Sequence, residues 1–240
     1  MRILKFGLAV SVLAALVLVQ GTGASAASAY TLFGDAQKVH PGHASDTAIQ
    51  LRSVGVSFGG IDFDTPTGMT VSQLNNLSTD YMFTAGSCGG GAPRFQINVG
   101  GENIFVYIGP PPNYTGCAQN VWLNTGDLLT PTSFVDTSQL PGGTFYDTWA
   151  AAQAKYGSLV ITGIQLVTDG GWAVGGTQVV QVDNVMINST IYTFEEEAAA
   201  NKDSCKNGGW MDFTSAPGPF KNQGDCVSYF ATSGRNKGSD

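Results

Sequence analysis

The sequence predicts an all-β fold: a β-sandwich of the jelly-roll type with one short helix, followed by a small disulfide-closed C-terminal module. Three observations carry this. Eight short runs are rich in Val, Ile, Phe, Thr and Tyr, and Gly, Pro, Asn or Asp separate them. Several runs alternate apolar and polar residues, the period of a half-buried strand. Charged residues make up only 12% of the chain while Gly is abundant, a composition common in extracellular sandwiches.

The first element is a secretory leader at residues 1–29. Arg2 and Lys5 precede an uncharged run at 6–19, too short for the roughly 20 residues that span a bilayer. Ala24-Ser25-Ala26 and Ala27-Ser28-Ala29 both fit a cleavage pattern; the second leaves Tyr30 at the mature N-terminus. The strand runs follow at 48–58, 78–84, 94–99, 104–108, 120–123, 159–167, 177–187 and 191–194. In Arg94-Phe95-Gln96-Ile97-Asn98-Val99 the apolar side chains share one face and Arg94, Gln96 and Asn98 the other. A helix is predicted over 146–156. Thr144 and Asp147 stand near its start, Trp149, Ala152 and Tyr156 recur at helical spacing, and Gly157 ends it.

Four cysteines allow three pairings. Cys88–Cys117 and Cys205–Cys226 each bracket one compact stretch, and no C-x-x-C spacing favours zinc. Charge divides the chain as well. Residues 30–194 hold eleven acidic and four basic side chains; residues 201–240 hold four and five. The organisation expected is therefore a leader (1–29), a β-sandwich domain (30–194), a linker (195–204) and a small module (205–240). A net charge of −7 argues against nucleic acid and anionic membrane surfaces as partners. No run after the leader is apolar enough for membrane insertion. The protein is expected outside the cell.

The opening Leu32-Phe33-Gly34-Asp35, the run Ala48-Ile49-Gln50-Leu51-Arg52-Ser53 and the closing Val179-Val180-Gln181-Val182-Asp183-Asn184-Val185 resemble carbohydrate-binding-module-like jelly rolls of secreted bacterial proteins. The resemblance spans residues 30–194. It implies a structural calcium, with Asp183 and Asp35 as the matching ligands. Val185 and Ile187 fall out of phase with Val180 and Val182, so a bulge is expected at Asp183-Asn184. The C-terminal stretch resembles a short tail of assorted secreted bacterial proteins.

Few residues suit catalysis. Asp62 and Asp64 form a close acidic pair, Glu102 sits in a turn, and His40 and His43 flank Pro41-Gly42. No G-x-S-x-G motif is present. A ligand face is the better reading. Aromatic rings pack against the C–H faces of sugars, and amide or guanidinium groups bond their hydroxyls. Arg94, Gln96, Asn98, Tyr107, Tyr114, Trp122 and Trp172 are the candidates. The expected role is non-catalytic recognition of a glycan or cell-surface polymer. Self-association as a structural or adhesive protein, and polysaccharide-directed catalysis, are the alternatives.

Overall fold

Alternation and turn chemistry set the strands that the chain forms. The computed structural model describes residues 30–195, 201–211, 213 and 218–232. The leader at 1–29 and residues 196–200 of the predicted linker lie outside the described residues. In chain order the strands are β1 Tyr30–Gly34, β2 Ala36–Val39, β3 Ala48–Val54, β4 Gly59–Phe63, β5 Leu77–Ala85, β6 Arg94–Val99 and β7 Glu102–Tyr107. They continue as β8 Leu123–Asn124, β9 Phe134–Val135, β10 Asp147–Thr148, β11 Ile161–Thr168, β12 Thr177–Ile187 and β13 Thr190–Tyr192. The helices are α1 Trp149–Tyr156 and α2 Gln223–Ala231.

Two large antiparallel sheets result, with β9 and β10 pairing in a separate two-stranded one. One runs β1-β4-β11-β6-β7; the other runs β2-β3-β12-β5-β8, with β13 folded back on β12. The core lies between them. Ile61, Phe63, Phe95, Ile97, Ile164 and Leu166 from the first sheet meet Ile49, Leu51, Phe83, Val180 and Val182 from the second. Each such side chain contributes about 1.5–3 kcal/mol by leaving water. Trp149, Ala152 and Tyr156 of α1 join the same cluster. Cys205, Phe213, Phe220 and Cys226 form a separate buried cluster. Both predicted disulfides are present, Cys88–Cys117 and Cys205–Cys226.

The all-β sandwich is as the sequence predicts, but several boundaries move for physical reasons. The run at 48–58 is cut at Val54, because Gly55 turns the chain at φ 57° and β4 starts at Gly59. The run at 120–123 shrinks to Leu123–Asn124: Asn120 turns the chain at φ 57°, and Val121 is half exposed. The helix starts at Trp149, where the Thr148 side chain accepts from Ala151 N and caps it. Asp147 stays outside, its carboxylate held by Lys155 at 2.7 Å. A second helix, α2, is capped by Asn222, whose side chain accepts from Asp225 N. Strand β12 does bulge at the expected place: its register shifts between Asp183 and Met186, and Asn184 adopts φ 47°.

Candidate ligand-binding face

Register decides which side chains share the outer face of the five-stranded sheet. Phe95, Ile97 and Val99 of β6 are buried against the core, so Arg94, Gln96 and Asn98 point away from it. Across the sheet one row reads Asp62, Gln165, Gln96 and Phe105. The next reads Gly60, Val167, Arg94 and Tyr107. A Cβ on Gly60 would come within 2.2 Å of the Phe33 ring, so only glycine lets that ring lie across the strand. At the far end of β6, the Asn98 amide donates to Asn103 Oδ1, and Asn103 donates to Gln139.

Arg94 spends every donor inside the protein. A guanidinium has five N–H groups. Nε and Nη2 donate to Gln96 Oε1; Nη1 donates to the Gly91 carbonyl; Nη1 and Nη2 form a two-pronged pair with Asp169 at 2.7 and 2.8 Å. The plane also lies over the Phe105 ring, 4.9 Å from its centre. The side chain is 13% exposed. Arg94 is therefore a strut that fixes Asp169 and the loop that follows it.

That loop carries Trp172, whose exposure of 64% is large for an indole. Its base is packed without slack. A Cβ on Gly170 would meet the Gly89 carbonyl oxygen at 2.5 Å, and one on Gly171 would meet Ser53 O at 2.6 Å. Gln178, fully buried, staples the base. Its Oε1 accepts from the Thr168 hydroxyl and from Gly170 N, and its Nε2 donates to the carbonyls of Ser87 and Ala92. The loops at 87–92 and 168–171 thus share one buried amide. The Trp172 ring lies beside Gly90, where an added Cβ would be 3.5 Å from it.

The other flank is aromatic. A Cβ on Gly109 would press on both sulfurs of Cys88–Cys117, so the disulfide underlies the start of the Pro-rich loop. That loop brings Tyr114 to 5.4 Å from Tyr107, ring centre to ring centre. The Tyr107 hydroxyl donates to Asp136 at 2.5 Å. Burial, reinforced by Asp136, pushes the Tyr107 phenol well above its ordinary range, so it stays neutral. A cleft of about 340 Å³ opens beside these rings, lined by Tyr107, Tyr114, Asp127, Thr130, Ser133 and Phe134.

Of the sequence-predicted residues, Arg94, Gln96, Tyr107, Tyr114 and Trp172 thus lie on this face or its rim, and Asn98 at its far end. Trp122 does not belong to it. It stacks on His43 at 5.0 Å, beside β8 in the other sheet. Gln165, Asp169 and Gln178 are additions that the structure reveals, and Asp62, part of the acidic pair in the sequence, joins this face. Gln178 left one trace in the sequence, since it shares the parity of Val180 and Val182, which face the core.

Asp35 and Asp183 do not fit a shared calcium. Asp35 pairs with Arg52 at 2.7 Å. Asp183 lies near the opposite end of β3, where Val182 pairs with Ile49. Its carboxylate is filled by donors: Ser45 Oγ, His43 N and Asn184 N. Among the described residues no group of three or more His, Cys, Asp or Glu is placed to hold a metal. Asp80 beside it accepts from Asn124, His43 Nδ1 and Asn184. Burial raises the Asp80 carboxyl, but these three donors outweigh it and hold it below its ordinary 3.8. Burial wins at Asp183, whose carboxyl is raised despite its donors.

No family model matches the chain, and no curated protein matches it. One solved structure to which it is similar is the xyloglucanase domain of NopAA, a type three effector from Sinorhizobium fredii, in complex with cellobiose. The identity is 14%, over 66% of this chain and 93% of that one, with a TM-score of 0.26. A likeness that loose carries no conclusion about ligand or activity.

Two measurements check the geometry. Gln178→Leu leaves the Ser87 carbonyl, the Gly170 N–H and the Thr168 hydroxyl unpaired, while the Ala92 carbonyl keeps Gly89 N–H, and a urea titration is expected to show a loss of about 3 kcal/mol or more. The second concerns pH. A lowered carboxyl stabilises above its unfolded value and is lost as pH falls through its folded one. Asp80 therefore contributes fully at neutral pH and loses that contribution progressively as pH falls from its ordinary 3.8 through its lower folded value, while the raised Asp183 costs stability until it is protonated. Asp80→Asn is expected to lower the urea midpoint at neutral pH and to flatten the fall in acid.

Proposed function

We propose that this is a secreted recognition protein that holds a glycan or cell-surface polymer on the outer face of its five-stranded sheet. The observation that carries the reading is the exposed Trp172 on a loop fixed by Gln178 and by the Arg94–Asp169 pair. An exposed ring normally costs its owner solubility, and holding it rigid removes most of the ordering cost of binding. A sugar presents a flat apolar C–H face to such a ring and hydroxyls to its neighbours. Gln96, Gln165 and Asp62 supply amide and carboxylate groups in one row of the same sheet, and the tyrosine flank supplies further rings.

Export is supported by the leader pattern at 1–29 and by two disulfides, which persist in oxidising compartments. Among the described residues no helix is long and apolar enough to cross a membrane. Binding without turnover is the reading that uses the fewest assumptions. Asp169, the carboxylate nearest the exposed ring in sequence, is committed to Arg94.

The test is a pull-down on a panel of insoluble polysaccharides. The wild type is expected to be retained on at least one. Trp172→Ala is expected to weaken retention about tenfold, the loss of one stacking partner. Trp122→Ala, which alters the other sheet, is expected to leave retention unchanged. Wild-type retention on no polymer would sink the proposal.

A further inference from the structure

We infer that this face takes neutral polysaccharide chains and rejects polyanionic ones, because its single cation has no donor left for a ligand. The inference rests on the glycan-binding reading above and narrows it.

Arg94 is the only basic side chain on the five strands of the sheet. All five of its N–H groups are used by Gln96, Gly91 and Asp169. The charge is matched as well as the donors, since the partner is a carboxylate gripped at both oxygens. The other basic side chains of residues 30–195 serve elsewhere. Arg52 is paired with Asp35, Lys155 with Asp147, and Lys38 lies on β2 in the other sheet. What the face still offers is neutral or negative. The Gln165 side-chain N–H₂ and the Asp62 carboxylate make no hydrogen bond to any described residue, and Asp62 sits directly across from Gln165.

A neutral sugar uses both groups. One hydroxyl accepts from the Gln165 amide while another donates to Asp62. A uronate or sulfate brings a charge that finds no free cation and faces Asp62 and Asp169. Like charges brought together across an interface repel strongly enough to exclude the polymer. The Arg94–Asp169 pair thus has two effects. It fixes the Trp172 loop, and it removes from the face the one charge that would attract an acidic chain.

Affinity electrophoresis tests this with gels holding hydroxyethylcellulose, galactomannan or arabinoxylan as neutral probes and polygalacturonate or alginate as acidic ones. The wild type is expected to be retarded by at least one neutral gel and by neither acidic gel. Asp169→Asn uncovers the Arg94 charge. Asp62→Lys places a new cation on the face without touching the Gln178 or Arg94 contacts, and so reports even if the first variant is unstable. Both are expected to bind polygalacturonate about three- to tenfold more strongly than the wild type, an increase erased by added salt. Wild-type retardation in acidic gels equal to that in neutral ones, or no gain in either variant, would overturn the inference and leave glycan binding standing. Retardation in no gel would remove the glycan reading itself, and this inference with it.

Discussion

A fully buried amide has no water to bond, so it must find every partner within the protein. Gln178 meets that constraint by reaching two separate stretches of chain: Ser87 and Ala92 in one, Thr168 and Gly170 in the other. Each group left unpaired there would cost about 1–3 kcal/mol. The two loops can therefore not drift apart without exposing a debt in buried polar groups. Everything that makes one edge of the sheet distinctive is hung from this point. The Cys88–Cys117 disulfide closes the first loop from the other side, Gly170 allows the second to pack against it, and Gly171 allows the second to pack on Ser53 of β3.

From that anchor the face follows step by step. Asp169 is held next to β6, and Arg94 turns inward to meet it rather than outward to solvent. Gln96 is drawn into the same network and passes a hydrogen bond on to Gln165. The result is a row of amides and carboxylates whose geometry is set before any ligand arrives. Trp172 stands at one end of it, and Tyr107 and Tyr114 stand at the other side of the Gly-rich turn. The ion pair is partly solvated and adds little stability as such; its value lies in placement.

Much of the fold was legible because it depends on local pattern. The alternation in β6 predicted its buried and outward faces correctly, and the phase slip at Asp183-Asn184 marked a real bulge. Strands β2 and β4 were not legible. Ala36-Gln37-Lys38-Val39 is an edge with almost nothing to bury, and Gly59-Gly60 reads as a turn although it is packed beneath Phe33. The site was only half legible for a related reason. An aromatic in a sequence does not say what it stacks on. Trp172 has solvent, whereas Trp122 has the ring of His43, from 79 residues earlier in the chain. Likewise Arg94 looked like a ligand contact because its partner Asp169 lies 75 residues away.

The central claim is that a ligand settles on the Trp172–Arg94–Gln165 side of the sandwich and nowhere else. It is tested most directly by two-dimensional NMR on labelled protein titrated with a soluble neutral oligosaccharide taken from a polymer that retains it. Binding there makes the Trp172 indole N–H, the Gln96 and Gln165 side-chain amides and the backbone amides of Gly89, Gly90 and Gly91 shift together, with the Trp122 indole unmoved. Shifts centred on Trp122 and His43, with Trp172 silent, would contradict it.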